Sequence, residues 1–343
     1  MSDRVSIAID VMGGDLGLHT ILPAAIAALA RYSSLHLLLC GKTAEINRYL
    51  NSQSLSENFR SRLSVLDAQS VVAMSETAAF AIRHRRDSSM YIALSQVAKG
   101  KAQACVSAGN TGALMAMSCL LIKTISGINR PAIVASMPTV KGQTLMLDLG
   151  ANINCKAENL YQFAVMGSAL ASGLYGLKKP KIGLLNIGSE ENKGLLQVVE
   201  AAKLLEAQAG LNYRGFIEGD DVFSGRADVV VCDGFAGNVL LKTSEGLAKF
   251  INVKVARNLK KSLFRRILTW FAAPVLQEIR EQLDPARRNG AILLGLQGVV
   301  VKSHGAATKQ GFGCAIDQAV MAVERDLVSI IEREMQALES LPK

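Results

Sequence analysis

The sequence predicts an α/β/α sandwich built on a mainly parallel sheet, and three observations carry that expectation. Short runs rich in Val, Ile and Leu recur at residues 5–10, 35–40, 63–66, 104–107, 133–137, 145–147, 182–187 and 229–232. Most are separated by segments with helical spacing, and near-continuous apolar strands alternating with helices are characteristic of a sheet covered on both faces. Five of the runs lead into polar, glycine-containing loops, the place where a parallel sheet gathers its ligand contacts.

Composition bounds the rest. The chain has 343 residues, half of them hydrophobic and a fifth charged, with seven prolines. That excludes a disulfide miniprotein and argues against intrinsic disorder. No fixed-period repeat and no long linker divides it, so residues 1–343 are expected to form a single α/β/α unit. The balance of 38 Lys and Arg against 29 Asp and Glu leaves a formal charge of +9, which favours acidic partners without choosing among nucleic acid, anionic lipid and an acidic carrier protein. Six scattered cysteines without a CxxC pair, and an N-terminus reading MSDRVSIAID, suit free thiols in a reducing cytosol and offer no structural metal site. Residues 102–122 and 159–177 are nearly uncharged, yet polar residues and glycines interrupt them, so they read as core segments rather than membrane spans.

VMGGDLG, residues 11–17, offers Gly13, Gly14 and Asp15 to a substrate, although Asp10 and Asp15 would equally hold the loop by accepting backbone amides. The run Arg83, His84, Arg85, Arg86 is either a docking patch or a solvated helix face. In SAGNTGALMA, residues 107–116, Ser107, Gly109, Asn110, Thr111 and Gly112 stand at a helix start, where exposed amides bind an anion or Asn110 or Thr111 caps the helix. Asp148 and Asn152 lie in DLGANIN. NIGSEENKG, residues 186–194, brings Asn186, Glu190 and Lys193, as an anion contact and an acid or base, or as solvated charges. DGFAGNVLLKT, residues 233–243, has Asp233 at a strand end, Asn238 as a possible cap and Lys242 one helical turn later. His304 follows the apolar run 298–301, open to catalysis, capping or packing. Each loop follows a strand, so all five are expected to open on one edge of the sheet, with phosphate on the 109–112 turn aided by Lys193 or Lys242.

Neither GxGxxG nor GxxxxGK[ST] occurs, nor GxSxG or HExxH, so nothing names a dinucleotide loop, a triphosphate loop, a triad or a zinc site. Residues 249–277 carry seven Lys or Arg and no acid, with Leu259, Leu263, Ile267, Trp270 and Phe271 at helical spacing. That is the pattern of a helix lying on a membrane surface, or of one packed on a partner subunit, with Pro274 bending or ending it.

Taken together, IAIDVMGGD (7–15), RHRRDSSM (83–90), ACVSAGNTGALMA (104–116), GINRPA (127–132), LDLGANINC (147–155), QFAVMGS (162–168), GLLNIGSEENKG (183–194) and VVVCDGFAGNVLLKT (229–243) resemble the acyl-carrier-protein:phosphate acyltransferase family, the bacterial fatty acid and phospholipid synthesis proteins, over nearly the whole chain. Leu18 and His19 stand where the family often has Pro, and Ser189 stands where it commonly has Glu, which places any essential role for that carboxylate in doubt.

The resemblance implies a fold akin to the isocitrate and isopropylmalate dehydrogenases and to phosphotransacetylase. It implies a cytoplasmic homodimer, peripherally bound to membrane; no cofactor, no metal and no nucleic-acid partner are expected. Its substrates would be fatty acyl-[acyl carrier protein] and inorganic phosphate, and its acyl phosphate would feed a membrane glycerol-3-phosphate acyltransferase. Acyl carrier proteins are acidic as a class, which gives the positive charge a partner. Two rivals remain: an NAD-dependent dehydrogenase on a related fold, and a non-catalytic adaptor that brings acyl carrier protein to the membrane. The site residues themselves follow from loop position, not from the resemblance.

Overall fold

The computed structural model describes residues 4–259, 274–275, 278 and 285–339. Among them, eleven strands form one sheet in the order β3-β2-β1-β4-β11-β10-β5-β6-β9-β7-β8. The strands are β1 Val5–Asp10, β2 Leu35–Gly41, β3 Leu63–Asp67, β4 Ala104–Ser107, β5 Ala132–Thr139, β6 Gly142–Leu147, β7 Lys181–Leu185, β8 Asn212–Ile217, β9 Val229–Val231, β10 Ala291–Leu294 and β11 Val299–Lys302. Each of the eight apolar runs forms a strand. Strand β8, whose sequence NYRGFI is half polar, and strands β10 and β11 were not among those runs.

The helices are α1 Leu18–Arg31, α2 Thr43–Ser52, α3 Glu57–Arg60, α4 Ala78–His84, α5 Ser89–Ala98, α6 Thr111–Leu121, α7 Ala157–Tyr175, α8 Leu196–Glu206, α9 Gly234–Leu259, α10 Lys309–Glu324 and α11 Leu327–Glu339. Successive strand residues point to opposite faces, so the core divides into two layers. On one face Ile7, Ile9, Leu37 and Leu39 of the first block and Leu147, Val229 and Val231 of the second share a core with α1, α7, α8, α10 and α11. Ala8, Cys105, Met146, Val230 and Val300 meet α4, α5, α6 and the first turns of α9 on the other.

Strand direction corrects the expectation of a single ligand edge. β3, β2, β1, β4 and β11 run parallel, as do β6, β9, β7 and β8. Between the blocks, β11–β10, β10–β5 and β5–β6 are all antiparallel. Three reversals set the two blocks against each other, so the loops after β1 and β4 leave opposite strand ends from those after β6, β7 and β9.

Helix α7 lies directly on the second block because Gly167 allows it: a Cβ there would fall 2.6 Å from Val229 Cγ1 and 3.1 Å from Leu147 Cδ2. Replacing it with a bulky side chain forces helix and sheet apart. Gly167→Leu is expected to lower the unfolding free energy by about 1–3 kcal/mol, read as a lower urea midpoint with an unchanged denaturant slope.

Candidate active site

The loop after β1 is built around Asp10, a buried carboxylate that accepts the hydroxyls of Ser89 at 2.5 Å and Ser107 at 2.6 Å and the amides of Met12 and Gly13. Burial raises its pKa against those hydrogen bonds. The expected loop-holding role therefore falls to Asp10, while Asp15 donates its amide to the Gly305 carbonyl at 2.8 Å. Gly13 and Gly14 are required sterically. A Cβ on Gly13 would sit 2.5 Å from Asp10 Oδ2, and Gly14, at φ 81°, lies against the Gly305 carbonyl and Ala108.

The loop after β4 packs on this one. Ser107 Oγ also accepts the Gly109 amide at 3.1 Å. Asn110 caps α6, its Oδ1 accepting the Ala113 amide at 3.0 Å, while its Nδ2 donates to the carbonyls of Met74 and Glu76 at 3.0 and 2.9 Å and, more weakly, of Ala73. Capping thus resolves to Asn110, whose amide protons are committed to the 73–76 segment. Thr111 and Gly112 then occupy the first helical turn, whose amides have no intrahelical acceptor.

The loop after β11 completes the junction. Ser303 is fully buried and donates its amide to the Ser107 carbonyl at 2.8 Å, and Asn289 bridges the Ser303 hydroxyl at 2.7 Å and the His304 amide at 2.9 Å. His304 is exposed, and its Nδ1 accepts the Ala306 amide at 3.1 Å, which places the proton of the neutral ring on Nε2. Partial desolvation of the ring and the nearby Lys242 ammonium lower its pKa. Lys242, exposed on α9, is 2.9 Å from Glu245 and electrostatically close to both His304 and Lys302. Lys302 itself was not anticipated; its only signal was a lysine closing the apolar run VVVK.

In the second block Asp148 plays the part of Asp10. Fully buried, it accepts the amides of Ile133 at 2.9 Å, Ala151 at 3.1 Å and Asn152 at 2.6 Å, and Asn152 Nδ2 at 3.0 Å. Burial raises its pKa too. Asn152 also donates to the Pro131 carbonyl at 2.8 Å. Asp233 caps α9 by accepting the Ala236 amide at 2.8 Å, so the cap is Asp233 and not Asn238, which stands exposed on the second turn facing Gly150. Cys155, beside this loop, is pushed up to about 12 by burial and stays a thiol at neutral pH.

The two blocks meet on the face covered by α6. There a cavity of about 280 Å³ is lined by Thr111, Gly112, Met115 and Ala116 of α6 and by Gly150 and Ala151 of the loop after β6. Thr111 and Gly112 bring the start of α6 to it, and Met115 and Ala116 bring the apolar side of the helix. The loop after β7 stays apart: Asn186 Nδ2 closes it on the Lys193 carbonyl at 2.9 Å, and Lys193 pairs with Glu190 at 2.5 Å, both exposed.

Arg85, which caps the C-terminus of α4, is ion-paired to Glu76, whose pKa it lowers, and lies over the Phe80 ring, whereas Arg83 and Arg86 are exposed. Leu263, Ile267, Trp270 and Phe271 lie outside the described residues, as does the side chain of Leu259. The described part of α9 exposes Leu247, Phe250, Ile251, Val253 and Val255. Among the described residues no helix is long and apolar enough to cross a membrane.

The model of the fatty acid synthesis protein family matches residues 5–330. A phosphate acyltransferase from Stutzerimonas stutzeri is 53% identical over 321 residues, 94% of this chain and 89% of its own. Another, from Pseudomonas savastanoi pv. phaseolicola, is 51% identical over 332 residues, 97% of each chain. Among solved structures, a phosphotransacetylase from Streptococcus pyogenes superposes with a TM-score of 0.62 at 20% identity, covering 94% of this chain and 95% of that one. A 4-hydroxythreonine-4-phosphate dehydrogenase from Klebsiella pneumoniae gives 0.52 at 16% identity, covering 94% and 98%. At such identities the likeness is one of fold alone.

The Asp148 hub makes a test of this geometry. In Asp148→Asn one acceptor becomes a donor facing backbone amides that have no alternative partner. The expected loss is about 1–3 kcal/mol, measured by chemical denaturation.

Proposed function

Because the chain belongs to the fatty acid synthesis protein family, we propose that it transfers a fatty acyl group from the thioester of acyl carrier protein to inorganic phosphate. The observation that carries this reading is the α6 cavity, in which an anion-favouring helix start opens onto an apolar wall. A thioester carbonyl beside a phosphate needs the first, and an acyl chain needs the second.

The chemistry asks little of a protein nucleophile. A phosphate oxygen attacks the thioester carbonyl carbon, the carbon–sulfur bond breaks, and the phosphate proton passes to the departing thiolate, giving acyl phosphate and free carrier thiol. What the site must supply is alignment and stabilisation of the carbonyl oxygen as it gains charge. Thr111 and Gly112 amides are the donors for that charge. Lys242 supplies positive potential, and the Nε2–H of neutral His304 donates a hydrogen bond to the departing thiolate, which takes its proton from the phosphate. Asn110, Asp10 and Asp148 position these groups through the loops. Lys193 and Asn238 stand exposed on the second block, open to a ligand arriving from solvent.

Two surfaces support the wider reading of a cytoplasmic, peripherally membrane-associated homodimer. The exposed apolar side chains of α9 suit a second copy of the chain, and the basic and apolar composition of residues 249–277 suits a membrane surface that carries the next acyltransferase. Arg83 and Arg86, near the 73–76 segment that Asn110 clamps, suit an acidic carrier protein.

Purified protein with long-chain acyl carrier protein and phosphate, without added metal or nucleotide, is expected to release carrier thiol and form acyl phosphate. Carrier binding with no phosphate-dependent release would instead indicate the adaptor. Gly112→Leu has room for its Cβ, the nearest atom being Asn110 Oδ1 at 3.5 Å. It is expected to keep or raise thermal stability, as a helical glycine is replaced, while filling the cavity and lowering kcat/KM by roughly tenfold or more. Charge reversal at Arg83 and Arg86 together is expected to raise KM for acyl carrier protein several-fold with kcat unchanged; an unaltered KM excludes this face.

A further inference from the structure

We infer that Lys302 is a positioning residue for the transfer, its ammonium stapling the loop after β4 to the loop after β11 and fixing one wall of the junction formed by residues 13–15, 107–110 and 302–305. The inference rests on the acyltransferase reading and adds to it a residue outside the five loops from which that reading began.

Lys302 ends β11, in register with Ser107 of β4 and Ala291 of β10. Strand alternation decides where it points. Val299 and Val301 belong to the first core layer and Val300 to the second, so Lys302 falls on the face that carries α6 and α9. Its Nζ donates to the Ala108 carbonyl at 3.3 Å and to the Ser303 carbonyl. Ala108 is the pivot. A Cβ on Gly14 would lie 2.9 Å from it, the next residue donates its amide to Ser107 Oγ, and the residue after that caps α6. Movement of the Ala108 carbonyl would therefore displace Gly14, the Ser107–Asp10 pair and the α6 start together.

An ammonium holds carbonyls more strongly than a neutral amine does, because its hydrogen bonds are charge-assisted. The charge on Lys302 is a balance. Burial lowers its pKa to about 8, Asp10 of β1 and Asp15 of the following loop favour the charge, and Lys242 of α9 opposes it. His304, in its own loop, is also an electrostatic neighbour. A depressed amine pKa means the charged staple is present below about pH 8 and lost above it, so the junction should loosen as pH rises through that value.

The experiment compares wild type, Lys302→Met and Lys302→Arg for kcat and both KM values from pH 6 to 10. Inorganic phosphate binding is measured alongside by titration calorimetry at pH 7 and 9. For wild type, kcat is expected to fall with an alkaline limb near pH 8. For Lys302→Met, kcat should be lower by roughly tenfold or more, KM for acyl carrier protein should change little, and the limb should be absent. Lys302→Arg, which keeps its charge throughout, should restore much of the activity and carry no limb near 8. A limb that persists near pH 8 in Lys302→Arg overturns the inference, as does a Lys302→Met enzyme with wild-type kcat. Should Lys302→Met fail to fold, the Lys302→Arg profile decides alone. Wild type that forms no acyl phosphate refutes the acyltransferase reading instead; phosphate affinity then tests the staple, which fails if that affinity is the same in wild type and Lys302→Arg at pH 9.

Discussion

Two carboxylates buried at strand ends hold the candidate site in place. Asp10 and Asp148 each sit where a parallel strand ends, and each accepts the backbone amides of the loop that follows. An unpaired buried donor costs about as much as a lost hydrogen bond. Burial disfavours the charge on both groups, and the ring of donors around each is what offsets that penalty. Ser89 and Ser107 tie Asp10 to α5 and β4. Ile133 and Asn152 tie Asp148 to the β5 start and to the segment on which α9 begins.

From these hubs the architecture of the site follows. Neither parallel block alone presents both an anion-favouring helix start and a second wall for a ligand. The antiparallel strands β10 and β5 join the blocks head to tail, and α6 spans the shared face, so that its start and its apolar side meet Gly150 and Ala151 of the other block. Close approach there depends on glycines. Gly237 could not carry a Cβ without overlapping the Asp148 carbonyl, and Gly13 could not without crowding Asp10.

The cations divide by their environment. Lys193 and Lys242 are exposed and matched to neighbouring glutamates, so their charge is available but screened by solvent. Lys302 is drawn inward against backbone carbonyls, where a charge is felt more strongly and is more easily lost. The thiols near the second block are held protonated by burial.

The sequence by itself determined the local elements and the chemistry of the loops. The eight runs that became strands were legible because burial on both faces demands unbroken apolar stretches, and the glycine-rich loops were legible because strained turns and close approaches demand glycine. Asp10 was legible as a loop holder for the same local reason. Strands β10 and β11 were not read as strands, and with them the reversal of the two blocks and the place of Lys302 were hidden. Strand direction, the use of Asn110 as a clamp on residues 73–76, and the meeting of Thr111 with Gly150 were decided only by the tertiary structure. Each depends on pairing between segments far apart in the chain, which no local pattern of side chains encodes.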